Sequence, residues 1–235
     1  LSLSIKMTDE TFSAAEHMSG MVDIDPDSGF FLESDSYYYS DISFNQELHN
    51  CPLLGRHCSM IFLNIRSAVK NLESFHDYLT TLNFEFTVIG LAETWLTSDT
   101  EQLCNLPVYK YFGKRRKVRV GGGVGFLVRN LVTFKPREDL SGVDDFVECS
   151  FIEIPYTKAD TRINSRALVG VIYRPPGANL GSFLESISTL LTRIKNEGKS
   201  CYLMGDFNIN LMNHDAHAQT NEFLDLMYAN SFYPL

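Results

Sequence analysis

Asp206 and Asn208 stand two positions apart, just after a short apolar run, Ser200-Cys201-Tyr202-Leu203-Met204. Such a run reads as a buried strand, and Gly205 at its end lets the backbone turn or lets another group come close. On extended backbone the Asp206 and Asn208 side chains share one side, while Phe207 points the other way into the core. A carboxylate able to take a proton then sits beside an amide able to steady an oxygen that gains charge. That pairing suits a water nucleophile.

Three other apolar runs end in polar groups of the same kind. Met60-Ile61-Phe62-Leu63 ends at Asn64, Phe86 to Ala92 ends at Glu93, and Ala167 to Ile172 ends at Tyr173-Arg174-Pro175-Pro176. Each alone has an ordinary explanation: a loop cap for Glu93, an amphipathic rim residue for Tyr173, turn formation for Asp206 and Asn208. In α/β architectures, however, neighbouring strand ends converge on one crevice, and four such ends point to a shared site. Glu93 is a hard oxygen ligand suited to Mg2+, with Mn2+ as a substitute. The ion would neutralise charge on a phosphate. Asn64 would orient the metal or its carboxylates, Tyr173 would offer a phenol to a phosphate oxygen, and Arg174 a cationic fork. Asp206 would take the proton of the attacking water.

The elements that must position these groups are strongly patterned. Ile65, Ala68/Val69, Leu72, Phe75, Leu79 and Leu82 recur at helical spacing, with His76 beside the stripe as a partly buried helix residue. A second helix is predicted from about Asn179, through Phe183/Leu184, Ile187, Leu190/Leu191 and Ile194 to a stop at Gly198. A shorter one covers Thr220–Ala229, with Phe223, Leu226 and Met227 inward. Val124–Val128 reads as a strand, and Phe146–Ile154 as a half-exposed one. Residues 97–113 and 155–165 read as loops.

The net charge of −9 is unevenly spread. Ten acids and a single base, Lys6, lie within residues 1–50, and the remainder is balanced. Residues 1–58 are therefore read as an acidic leader without regular structure, and residues 59–235 as the folded domain. The low pI is no argument against nucleic-acid binding by that domain. Lys114-Arg115-Arg116-Lys117-Val118-Arg119 is a basic cluster on a surface loop, followed by a flexible Gly121-Gly122-Gly123. Arg115, Arg116, Lys117 and Arg119 are candidate phosphate contacts, with a solvated hairpin tip as the alternative. The triple glycine is no P-loop, because no Gly-Lys-Ser/Thr follows. Five cysteines without a Cys-x-x-Cys argue against thiolate metal sites or a disulfide scaffold, and fit a reducing interior, nucleus or cytoplasm. No apolar run of about 18 residues is present, so no membrane-spanning helix is expected.

Phe62-Leu63-Asn64-Ile65-Arg66-Ser67, Gly90-Leu91-Ala92-Glu93-Thr94-Trp95-Leu96, Gly121-Gly122-Gly123-Val124-Gly125, Val171-Ile172-Tyr173-Arg174-Pro175-Pro176 and Gly205-Asp206-Phe207-Asn208 occur in that order. Over residues 59–235 this resembles the apurinic-type endonuclease domain of LINE-like (non-LTR) retrotransposons, within the endonuclease/exonuclease/phosphatase superfamily. The resemblance implies a four-layer αββα sandwich of two packed mixed β-sheets flanked by helices. It implies Mg2+-dependent nicking of DNA that primes a downstream reverse transcriptase. Glu93 would be the metal ligand, Asn64 its support, Tyr173 a contact to the scissile phosphate, Asp206 the activator of water, and Asn208 a stabiliser of the attack geometry.

The sequence departs from that family at one place. Such domains finish with a Ser-Asp-His motif after further strands, and no Ser-Asp-His occurs here. His214-Asp215 stands in reversed order close after Asn208 and reads as loop. The expectation is a fragment whose last strands are missing, with an uncovered sheet edge and weakened or absent activity. A non-catalytic nucleic-acid- or protein-binding remnant, and a phosphatase or RNA exonuclease of the same superfamily, are the alternatives.

Overall fold

The computed structural model describes residues 4–6, 40–50, 58–116, 121–157, 164–211 and 218–233. Ten strands are described: β1 (Ser4–Lys6), β2 (Met60–Asn64), β3 (Val88–Ala92), β4 (Tyr109–Lys114), β5 (Val124–Arg129), β6 (Lys135–Pro136), β7 (Gly142–Val143), β8 (Glu148–Thr157), β9 (Asn164–Tyr173) and β10 (Cys201–Asp206). The helices are α1 (Asp41–Asn50), α2 (Ala68–Leu82), α3 (Leu180–Asn196) and α4 (Ala218–Ala229).

The strands form two sheets, ordered β1-β2-β3-β5-β4 and β10-β9-β8-β6, with β7 also on β8. One parallel pair lies in each, β2 with β3 and β9 with β10, and the other pairings are antiparallel. Parallel neighbours need a crossover, and a helix supplies it in both cases: α2 between β2 and β3, α3 between β9 and β10. Phe62, Val88, Phe126, Ile152, Val169 and Val171 fill the space between the sheets. Outside the first sheet pack Leu72, Phe75, Leu79 and Leu82 of α2. Outside the second pack Phe183, Ile187, Leu191 and Ile194 of α3, with Phe223 of α4. The result is the expected four-layer sandwich of two mixed sheets flanked by helices. Each fully buried side chain of this kind contributes roughly 1.5–3 kcal/mol.

The helix ends are chemically explicit. The Asn179 side chain accepts the Ser182 N–H at 3.0 Å and caps α3, whose last turn carries Arg193 and Lys195 against the helix dipole. Gly198 follows with a positive φ of 61°. His76 is partly buried on α2, and the Thr80 hydroxyl bonds to its backbone carbonyl at 2.9 Å.

Four expectations change. The leader is not without structure throughout: β1 pairs antiparallel with β2, and α1 is held by Phe44, 5% exposed within the outer core. Tyr37–Tyr39 and the rest of residues 7–39 lie outside the described residues. Residues 109–114 are strand β4, because Tyr109 and Tyr111 are buried on one face while Lys110 is exposed on the other. β8 is not half-exposed; residues 147–154 are buried, with α3 on one face and the first sheet on the other. The polar stretch 155–165 extends β8 and β9 into a longer hairpin, paired out to Thr157 with Asn164.

At the end of the second sheet remote from the strand ends described next, Arg137 joins three acids, Asp139, Glu153 and Glu197. Its guanidinium donates to Asp139 at 2.6 and 2.8 Å and to Glu197 at 2.8 Å. Glu153, 5% exposed, takes Lys199 at 2.9 Å and Arg166 at 2.7 Å. Hydrogen bonds from Arg137 hold the Asp139 carboxyl at about 2, below its ordinary 3.8. Such a depressed carboxylate adds stability above its unfolded pKa and loses it as pH falls through the folded one. We therefore expect acid unfolding to be promoted as pH drops from about 4 towards about 2, the window set by Asp139. Arg137→Ala should cost about 1.5–3 kcal/mol in urea denaturation, because it removes a nearly buried guanidinium's charged hydrogen bonds to Asp139 and Glu197, while Glu153 keeps Lys199 and Arg166. A cost below about 1 kcal/mol, typical of a surface pair, would show that the cluster is solvated.

Candidate active site

The parallel registers deliver the strand-end residues side by side. Asn64 is paired with Ala92, so Glu93 emerges one residue further on, next to Asn64. Asp206 is paired with Tyr173 in the other sheet. Across the gap between the sheets, one nitrogen joins them: Asn64 Nδ2 donates to Glu93 Oε1 at 2.8 Å and to Asp206 Oδ2 at 2.9 Å. Tyr173 completes the group. Burial first, then the charge and hydrogen bond of Glu93, raise its phenol above the ordinary range, so it is a proton donor at neutral pH.

Left-handed backbone surrounds these residues. Glu93 and Trp95 have φ of 53°, Asn208 49°, and Arg66 and Ser67 44° and 88°. Non-glycine residues in such conformations cost about 1–3 kcal/mol each and persist only where neighbours hold them. Here the Ser67 and Ala68 N–H groups, orphan donors at the start of α2, bond to the Glu93 and Thr94 carbonyls at 2.8 Å each. On the other side the Thr94 and Trp95 N–H groups bond to the Gly123 and Gly122 carbonyls at 3.2 and 2.9 Å. The glycine run is therefore not a flexible hinge. Gly122 and Gly123 are buried, with φ of 67° and 87°, and a Cβ on either would strike Glu148 and Arg116 or Thr94.

β10 ends at Asp206 rather than continuing through Asn208. The chain turns, and the Asn208 N–H reaches back to Asp206 Oδ1 at 3.1 Å. Asn208 Nδ2 donates to the Arg174 carbonyl at 2.7 Å. Asn208 thus steadies the Asp206 carboxylate through its backbone N–H, while the side-chain amide expected to steady the attacked oxygen is engaged by the Arg174 carbonyl. Phe207 does point inward, its ring centroid 5.2 Å from that of Phe223. At Gly205 an added Cβ would collide with the Ile172 backbone, so only glycine lets β10 lie this close to β9 just before Asp206.

Arg174 is not a free fork for phosphate. Its Nε, Nη1 and Nη2 donate to the carbonyls of Phe207, Ala178 and Asn208 at 2.8, 2.6 and 2.7 Å. The expected phosphate cation is a strut, spent on backbone oxygens. The basic cluster is also engaged: Lys114 pairs with Glu138, Arg115 with Glu101 at 3.1 Å, and Arg116 with Glu148. Lys117 and Arg119 lie outside the described residues, as does His214-Asp215. Glu148, fully buried beside Tyr173, was missed by sequence reasoning. Its signal is a charged residue on the inward phase of β8, in step with Ile152 and Ile154.

A cleft of about 460 Å3 opens on the Asn64 and Asp206 side of this group, lined by Phe62, Asn64, Asp206, Asn208 and Phe223 among others, while Glu93 and Tyr173 are not part of its lining. Among the described residues no three His, Cys, Asp or Glu side chains gather into a metal cluster. Mg2+ asks for less, one or two carboxylates with water on its remaining positions. Glu93 and Asp206 supply two. Asn64 Oδ1 is buried and has no hydrogen-bond partner among the described residues. An orphaned acceptor on the residue whose amide bridges two carboxylates fits a hard divalent cation.

The profile of the Endonuclease/Exonuclease/phosphatase family matches residues 61–233, the stretch that carries every strand end named above. The chain belongs to this family. Among solved structures it is similar to the Xenopus laevis APE2 catalytic domain, with a TM-score of 0.54 and 16% identity, over 72% of this chain and 67% of that one. It is also similar to an endonuclease/exonuclease/phosphatase family protein of Bacteroides thetaiotaomicron, at TM-score 0.47 and 18% identity over 71% and 67% of the two chains. An AP endonuclease of Archaeoglobus fulgidus gives TM-score 0.45 and 12% identity over 72% and 70%. At 16% identity the likeness to the Xenopus laevis domain speaks for the fold alone. No curated protein matches by sequence. Endonuclease/exonuclease/phosphatase domains are hydrolases of phosphate esters, and the carboxylate pair sits at the strand ends of such a domain.

The convergence can be tested without turnover. Asn64→Asp replaces the bridging donor by a third carboxylate, and like charges so placed repel. The variant should melt below the parent at neutral pH in chelator, and regain more stability than the parent on adding millimolar Mg2+. Equal melting and equal metal response in both proteins would mean that Glu93 and Asp206 do not meet at residue 64.

Proposed function

We propose that this domain is a divalent-metal-dependent phosphodiesterase of the non-LTR retrotransposon type, which nicks one strand of DNA. The observation that supports it most is the Asn64 amide held between the Glu93 and Asp206 carboxylates. The ordered motifs of residues 62–67, 90–96, 121–125, 171–176 and 205–208 favour that branch of the family. In an element of this type a reverse transcriptase would extend the nick, inside the nucleus or cytoplasm.

Glu93 would hold Mg2+ (or Mn2+), with Asn64 Oδ1 and Asp206 beside it, and the ion would offset charge building on the phosphate oxygens. Asp206 lines the cleft and is oriented by two donors, the Asn64 amide on Oδ2 and the Asn208 N–H on Oδ1. It accepts the proton of the attacking water. Tyr173, kept protonated, donates to a non-bridging phosphate oxygen once a substrate competes for its bond to Glu93. Protonation of the leaving oxygen by a general acid would contribute about 10²–10⁴-fold more.

One observation favours a second reading, hydrolysis of a terminal phosphate or an RNA end. Lys114, Arg115 and Arg116 are each matched by an acid, which weakens the basic stripe that a long duplex prefers. Supercoiled plasmid, a 3′-phosphorylated oligonucleotide and a short RNA, each incubated with Mg2+, separate the readings. The expected result is slow, chelator-sensitive nicking of plasmid, lost in Asp206→Ala and in Glu93→Ala. Nicking that persists in Asp206→Ala overturns the proposal, and preferential release of phosphate or of RNA 3′ nucleotides replaces it with the second reading.

A further inference from the structure

Glu148 is a carboxylate with no exposed surface, at the site end of the space between the sheets. It opens β8 directly opposite Tyr173 on β9, so the two side chains share one face. A buried charge without partners is costly, and two donors meet this one. The Gly123 N–H bonds to Oε2, and Arg116 brings Nε and Nη2 to Oε1. Gly123 in turn holds the Thr94 N–H, the residue after Glu93. Arg116 remains partly exposed, its side chain 20% accessible, and close enough to Tyr173 for its charge to act on that phenol. The pair consumes one edge of the guanidinium. Its Nη1 makes no hydrogen bond among the described residues.

We propose that Glu148 is a positioning residue: it fixes Arg116 so that the open edge of the guanidinium meets the substrate phosphate beside Tyr173, and it pins the glycine run that supports Glu93. This rests on the phosphodiesterase reading. It singles out one base of the cluster and gives the buried glutamate its reason. The triple glycine follows from it, since Gly122 and Gly123 leave room for the Glu148 and Arg116 side chains.

Glu148→Gln keeps the size and an acceptor for Gly123 while removing the charge that orients Arg116. Arg116→Ala removes the cation, and the double variant closes the cycle. Binding of a short DNA duplex is followed by fluorescence anisotropy across a salt series, nicking by kcat and KM, and folding by thermal melting. Each single variant should lose about 10–100-fold in kcat/KM, as when an orienting partner is removed. Each should also lower the salt slope of binding by about 0.9, the loss of one phosphate contact. The double variant should be no worse than Arg116→Ala alone. A purely structural Glu148 predicts otherwise: lower melting with an unchanged salt slope, or losses that add to those of Arg116→Ala. Either result, or binding by Glu148→Gln as tight as wild type, overturns the proposal. The binding arm needs no turnover. A chain that binds but never cuts therefore defeats the phosphodiesterase reading alone, and the salt slopes still decide the role of Glu148.

Discussion

Two carboxylates facing one amide are the constraint on which the rest of this molecule turns. Like charges a few ångströms apart repel by several kcal/mol at the effective dielectric of a protein. The Asn64 amide offsets part of that by donating to both Glu93 and Asp206. The remainder is supplied by architecture. Asn64 and Asp206 belong to different sheets, so the packing of Phe62, Phe126, Ile152 and Val171 between those sheets holds the charges together. Core and site are one problem here: the apolar filling sets the gap that the amide bridges.

The two βαβ units solve that problem in the same way. In each, a parallel pair brings two strand ends to one edge, and the helix between them covers the outer face. The loops beyond those ends then take up left-handed turns that carry Glu93 and Asn208. Main-chain groups satisfy each other at these turns, with the start of α2 bonded to the Glu93 and Thr94 carbonyls. A helix start that lacks a side-chain cap is thereby capped by the segment that bears the site's central acid.

Much of this was legible in the chain itself, for physical reasons. Asn64, Glu93, Tyr173 and Asp206 each close an apolar run, and a polar group at a buried strand's end has few ordinary causes. The stripes of α2 and α3 declare themselves by spacing alone. What escaped was context. Tyr109-Lys110-Tyr111 alternates as a strand should, but over too few residues to stand out from a loop. Arg174 reads as a phosphate ligand because nothing local tells that Phe207, Ala178 and Asn208 turn their carbonyls towards it. The bases at 114–116 read as a free patch because their acids, Glu138, Glu101 and Glu148, arrive from other elements. The glycine run reads as slack for the opposite reason: the tightness at Gly122 and Gly123 is imposed by side chains around them.

The Arg174 strut has a mechanical corollary. One planar cation knots the turn after β10 to the turn that launches α3, so neither can swing without the other. That stretch of the cleft's rim is braced as a jaw rather than hung as a lid. Were a phosphodiester to enter beside it, as the proposed function has it, the pliability of the guest rather than recoil of this stretch would decide the fit.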